Sequence, residues 1–198
     1  MKNYEQKDRI VAEALDLFAA RGYAAASIKM LAERIGVAGP SLYNHFRSKP
    51  QLMAHMLPRL DKTYDKYSVT EDELDISSAS DLAELLRNHA GVLFGVRTIR
   101  NMRRFFSIEQ GVNADIRDRY LAYRERCVTG FGRKIAEHLI KRGFAGNDLD
   151  AEIAGRIIMS PVMGYIRDAD QGLLTEENMM QNISMHALLV WKNFFSRS

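Results

Sequence analysis

Cysteine is almost absent from this chain of 198 residues, where Cys127 stands alone. One thiol excludes an internal disulfide and a cysteine-rich zinc site. Its neighbours at helical spacings, Tyr123, Gly130 and Phe131, assign it to packing as a small hydrophobe. No run of about 18 uncharged apolar residues occurs, and the opening MKNYEQKDRI lacks the apolar block of a secretory signal. No membrane partner and a cytoplasmic location are therefore expected. Proline is scarce: Pro40 and Pro50 stand where helices should begin, and Pro58 and Pro161 stand inside helices, where they should bend them. Charge of one sign is missing too. With 28 Lys and Arg against 25 Asp and Glu the net charge is +3, so any affinity for nucleic acid must come from a local basic surface. The five histidines (His45, His55, His89, His138 and His186) show no ligand spacing, and no Glu-x-x-His pair stands out in the C-terminal body. No metal, no cofactor and no enzymatic activity are expected.

What is present is helical periodicity, with 46% hydrophobic residues to fill a core and no strand alternation or internal repeat. An all-α fold of about nine helices follows. A first helix from about Tyr4 to Arg21 carries the stripe Ile10, Ala14, Leu17 and Phe18 and stops at Gly22. Residues 68–80, acidic and serine-rich, read as an exposed loop. A helix from Asp81 to Phe94 precedes the basic run Arg97 to Arg104. A long helix from about Asn113 to Arg142 is stopped by Gly143, and the next is capped by Asn147 or Asp148 and runs to about Asp170. The last starts near Thr175.

The stretch Ser27 to Pro50 is the most informative. Ile28, Leu31, Ala32 and Ile35 mark one face of a helix with Ser27 as its N-cap, and Gly36 breaks it. A second short helix follows, with Pro40 at its first turn and Leu42 and Phe46 on its buried side. Ser41, Tyr43, Asn44 and His45 lie elsewhere around it and offer hydroxyl, amide and imidazole groups. Ser48 and Gln51 then fit a capping box that starts a fourth helix. A short exposed helix flanked by donors is what reading the DNA major groove requires. Lys49 and Tyr43, with His45 and Ser27, suit phosphate; Ser41, Asn44 and Lys29 suit base edges, asparagine being able to pair bidentately with adenine.

Residues 7–57, above all Leu31-Ala32-Glu33-Arg34-Ile35-Gly36-Val37 and Ser41-Leu42-Tyr43-Asn44-His45-Phe46 with Ser48-Lys49, resemble the DNA-binding domain of the TetR family. The resemblance implies a homodimeric transcription factor, usually a repressor, whose C-terminal body binds a small effector. It places the recognition helix at Gly39 to His45, phosphate contacts on Tyr43, His45 and Lys49, and a base or backbone contact on Lys29. Ala38 and Gly39 depart from the polar residues that relatives often carry there, which shifts readout towards Ser41, Asn44, Lys29 and DNA shape. The expected modules are a helix-turn-helix domain over residues 1–50, a connecting helix over 51–67, and an effector-binding and dimerisation domain over 68–198.

In that last module Met102, Phe106, Tyr123, Cys127, Met159 and Met163 form a flexible, partly aromatic set suited to an apolar effector. Arg97, Arg100, Arg103 and Arg104 either recognise an anion or form a solvated face paired with acidic neighbours. The final helix carries two apolar stripes: Ile183, Ala187, Val190 and Phe194, and Leu188, Trp191 and Phe195. The second stripe is assigned to a homodimer interface. Partners are thus an operator in double-stranded DNA, a small-molecule effector and a second copy of the chain. A DNA-binding structural or division-related protein without an effector is the alternative reading.

Overall fold

The computed structural model describes residues 2–67, 70, 73–146 and 148–195, without the side chains of residues 2–5 and Asp65. All regular structure among these residues is helical. The α-helices are α1 (Lys2–Arg21), α2 (Ile28–Ile35), α3 (Gly39–Tyr43), α4 (Lys49–Asp61), α5 (Ala79–Gly95), α6 (Arg97–Glu109), α7 (Ala114–Arg124), α8 (Phe131–Lys141), α9 (Ala151–Asp170) and α10 (Glu176–Val190). α7 runs into α8 through a π-helical segment, Glu125–Gly130, so the α-helices make nine separate stretches.

By packing, the chain falls into two compact units: residues 1–66 with 97–121, and residues 67–96 with 122–198. In the first unit α1 packs on α2, α4 and α6. Ile10, Ala14, Leu17 and Phe18 are all buried, as their spacing requires, and Phe18 meets Phe105 of α6 at 5.7 Å between ring centroids. In the second unit α8 packs on α9, and α10 packs on α5 and α9. Its core includes Leu86, Phe131, Ile135, Ile158 and Ile183.

The basic run after α5 is itself a helix, α6, separated from α5 by Val96 alone. It packs with the N-terminal helices, so the compact units divide the chain differently from the sequence modules.

Several boundaries differ from expectation. The helix expected to be capped by Asn147 or Asp148 is capped by Asp150, whose carboxylate accepts from the Glu152 and Ile153 amides at 2.9 and 3.0 Å. Asn147 lies outside the described residues, as do Ser68, Val69, Glu71 and Asp72 of the expected loop. Within that loop Leu74 and Ile76 are buried, so it is anchored rather than wholly exposed.

The outer stripe of the last helix is also corrected. Phe195 is buried at 1% exposure while Phe194 is 40% exposed, the reverse of the expected assignment. The cause is a π-helical turn over Trp191–Phe195. It adds about one residue to the turn, so the inward position after Val190 falls on 195 instead of 194.

Candidate nucleic-acid interface

The first unit builds the surface. Ser27 caps α2 by accepting from the Met30 amide at 3.1 Å, and Leu31, Ala32 and Ile35 turn inward. Gly36 ends α2 in the left-handed region at φ 77°, a conformation that a residue without Cβ adopts at no steric cost. Its amide and that of Val37 both reach the Ala32 carbonyl at 3.0 Å. The chain turns there into α3, which has no side-chain cap and only five residues. A helix so short is not stable alone. Leu42, completely buried, and Phe46, 3% exposed, hold it to the module. Burial of each contributes roughly 1.5–3 kcal/mol.

This burial fixes what α3 shows to solvent. Tyr43 is 51% exposed, Pro40 and Asn44 are exposed, and Gly39, Ser41 and His45 are half-buried. Asn44 and His45 follow the last helical turn, so α3 is two residues shorter than expected. Ser27 and Lys29 are exposed at the start of α2. Lys29 approaches Glu33 at 4.0 Å, a solvent-facing pair of little strength. The next helix begins at once: Ser48 accepts from the Gln51 amide at 3.2 Å, and Gln51 accepts from the Arg47 amide at 2.7 Å. Glutamine therefore reaches one residue further back than in a capping box.

Lys49 is placed differently from a free phosphate donor. Its ammonium donates to the carbonyls of Tyr23 and Ala26 at 2.6 and 2.7 Å, with Ala24 at 3.4 Å, and lies 4.2 Å from the centre of the Tyr23 ring.

An ionic cluster backs the motif. Arg34 of α2 pairs with Glu13 at 2.6 Å and Asp16 at 3.4 Å on α1, and Arg97 of α6 pairs with the same two carboxylates. Asn101 also donates to Asp16. The Arg34 guanidinium, through its hydrogen bond, holds the Glu13 carboxyl below the usual carboxylate range. Arg9 donates to the Ile35 carbonyl at 3.1 Å. On α4, His55 contacts Arg59, and burial with that neighbouring cation lowers its pKa below the usual imidazole value.

Sequence reasoning missed Glu13, Asp16 and Glu109 as organisers of the motif. Glu109 is buried, and it accepts from the Tyr23 amide at 2.7 Å across 86 residues of sequence. No periodicity signals a contact at that separation.

Among the arginines of α6, Arg97 joins the ionic cluster, Arg104 is exposed, Arg100 is half-buried and Arg103 is buried at 5% exposure. The four thus share no single solvated face. Of the candidate effector contacts, Met102 and Phe106 are buried in the first unit. In the second, Tyr123, Cys127 and Met159 are buried and Met163 is half-buried. Cys127 sits in the π-helical segment that packs on α9, the helix carrying Met159 and Met163. Among the described residues no group of three or more His, Cys, Asp or Glu is placed to hold a metal ion. No helix among them is long and apolar enough to cross a membrane.

Comparison with known proteins points the same way as the geometry. Residues 10–56 match the model of bacterial regulatory proteins, tetR family. The chain is 27% identical over 160 residues to the HTH-type transcriptional regulator TcmR of Streptomyces glaucescens, covering 78% of this chain and 66% of that protein. Over 55 residues it is 40% identical to the HTH-type transcriptional activator FasR of Mycolicibacterium smegmatis, covering 28% of this chain and 25% of that protein. The chain thus spans just under two thirds of the length of the first of these relatives and a quarter of the second. A solved structure from Mesorhizobium loti, assigned to the TetR family of transcriptional regulators, superposes with a TM-score of 0.71 at 14% identity, covering 99% of this chain and 100% of that one.

Proposed function

We propose, from the match of residues 10–56 to the tetR-family model and from the all-helical fold shared with a solved TetR-family structure, that the chain is a cytoplasmic, homodimeric repressor of the TetR family released from its DNA operator by a small-molecule effector. The observation that carries the reading is the construction of α3. Buried Leu42 and Phe46 pin a five-residue helix while Tyr43 and Asn44 stand exposed. Such a helix offers hydroxyl and amide groups to a groove and has little other purpose in packing.

In this reading Ser41, Asn44 and Lys29 address base edges, and Tyr43, His45 and Ser27 address phosphates, with Gly39 and Pro40 allowing close approach of the backbone. The effector binds in the C-terminal body, where Tyr123, Cys127, Met159 and Met163 of the second unit are the candidate contacts. A dimer reads two half-sites roughly 34–36 Å apart, so a small change in the separation of two copies of α3 breaks the register.

Selection of bound sequences from random duplex DNA tests the reading, with a two-fold symmetric consensus as the expected result. Failure to enrich any sequence would sink it. On the selected duplex, Asn44→Ala should relax preference at one base position per half-site by about 1–3 kcal/mol. Tyr43→Phe should weaken binding to selected and unrelated duplexes alike, because phosphate contacts carry no sequence information. Release by one compound in a metabolite screen supports the effector, whereas operator occupancy unmoved by every compound favours the effector-independent alternative.

A further inference from the structure

Tyr23 lies in the connector between α1 and α2, and its backbone is held from both sides. Its amide donates to the buried Glu109 carboxylate at the end of α6, at 2.7 Å. Its carbonyl accepts from the Lys49 ammonium at the start of α4, at 2.6 Å. The same ammonium holds the carbonyl of Ala26, the residue before the N-cap of α2, at 2.7 Å. The Tyr23 ring completes the grip, lying under the ammonium and edge-on to Phe18 of α1 at 5.3 Å. Gly22 leaves room for the carboxylate: a Cβ there would lie 3.1 Å from its oxygen.

We propose that Glu109 and Lys49 are positioning residues for DNA binding, joined through the Tyr23 peptide groups, and that Lys49 acts by fixing the entry of α2 rather than by contacting phosphate. The proposal rests on the DNA-binding reading above and gives that site a regulatory input from α6. Two opposite charges polarise one short stretch of backbone, and bonds of this kind are stronger than neutral ones. The connector so held leads directly into Ser27 and α2, against which α3 packs. The contact also has a place in the topology. The chain leaves the first unit after residue 66 and returns as residues 97–121, so α6 is the first helix of that returning segment. A shift of α6 along its axis reaches the motif through Glu109 without passing through α4.

A salt titration separates positioning from contact. A lysine on phosphate releases a counterion, and its loss lowers the slope of log K against log salt by about 0.9 per lysine, or about 1.8 for the two copies in a dimer. A positioning lysine leaves the slope alone. The full-length protein is titrated with its selected duplex, with thermal unfolding followed in parallel. Lys49→Met and Glu109→Ala should each weaken binding about tenfold or more with the wild-type salt slope, while Glu109→Gln, whose neutral amide oxygen still accepts from the Tyr23 amide but more weakly, should bind more tightly than Glu109→Ala and less tightly than wild type. Should Glu109→Ala fail to fold, Glu109→Asp, shorter by one methylene, takes its place with the same expected loss. A lowered slope for Lys49→Met overturns the proposal, as does wild-type affinity in Glu109→Ala or Glu109→Asp. A wild-type protein that selects no duplex overturns the DNA reading itself, a result distinct from either.

Discussion

His89 lies on α5 at 4% exposure, its ring stacked on Phe131 with centroids 4.1 Å apart. Burial disfavours the charged imidazole and lowers its pKa to about 4 from 6.5. The sign of the consequence follows from proton counting. Between these values the unfolded chain binds a proton that the folded chain refuses, so stability is complete above pH 6.5 and is lost as pH falls towards 4. The loss from this one group is on the order of 3 kcal/mol. His55, also lowered, acts in the same direction. Denaturant unfolding at a series of pH values should show this slope, and His89→Phe should flatten it. An NMR titration in which the His89 ring protonates near pH 6.5 would contradict the assignment. Other side chains were readable without the fold: Ser27 and Ser48 cap the helices they precede because capping is local chemistry. The partners of Lys49 were not, because an ammonium on a flexible stem finds its acceptors through tertiary approach alone.

Helix existence was legible where period and stop signals agreed, as in α1 with Gly22 and α8 with Gly143. One π-helical turn, at the end of α10, defeated finer reading. It shifts register by about one residue and moved Phe195 into the core and Phe194 out of it. Helix approach was equally hidden. Gly132 of α8 and Gly155 of α9 meet backbone to backbone, so a Cβ at Gly132 would lie 2.2 Å from the Gly155 carbonyl oxygen. No rotamer relieves that contact, since the obstruction is main chain. Gly132→Ala should therefore destabilise the protein by about 1–3 kcal/mol or more, seen as an earlier unfolding midpoint, despite the gain in helix propensity that alanine brings. A Gly132→Ala protein as stable as wild type would show that the two helices part freely. Asp150→Ala, which removes only a cap, should cost about 1 kcal/mol.

At the scale of the whole molecule the outward face of α10 carries the argument. Met185, Leu188 and Leu189 are each about half exposed, and they fall at i, i+3 and i+4, one stripe of the helix; Phe194 follows beyond it. A stripe of large apolar groups held in water is unfavourable, and a second copy of the same stripe across a two-fold axis removes it from water most simply. Trp191 is a poor probe of the proposed dimer because its ring packs within its own chain, 5.1 Å from Phe144 and 6.3 Å from Phe195. A charge there would damage the fold and the interface together. Leu188 has no such inward duty, being 46% exposed. Leu188→Asp should leave the unfolding midpoint of dilute protein nearly unchanged while sedimentation shows monomers. Operator affinity should then fall by more than any single base contact explains, because one half-site binds without its tethered partner. An unchanged dimer would place the interface on another face, and a monomer that binds its operator as tightly as wild type would remove the two-copy arrangement from the mechanism.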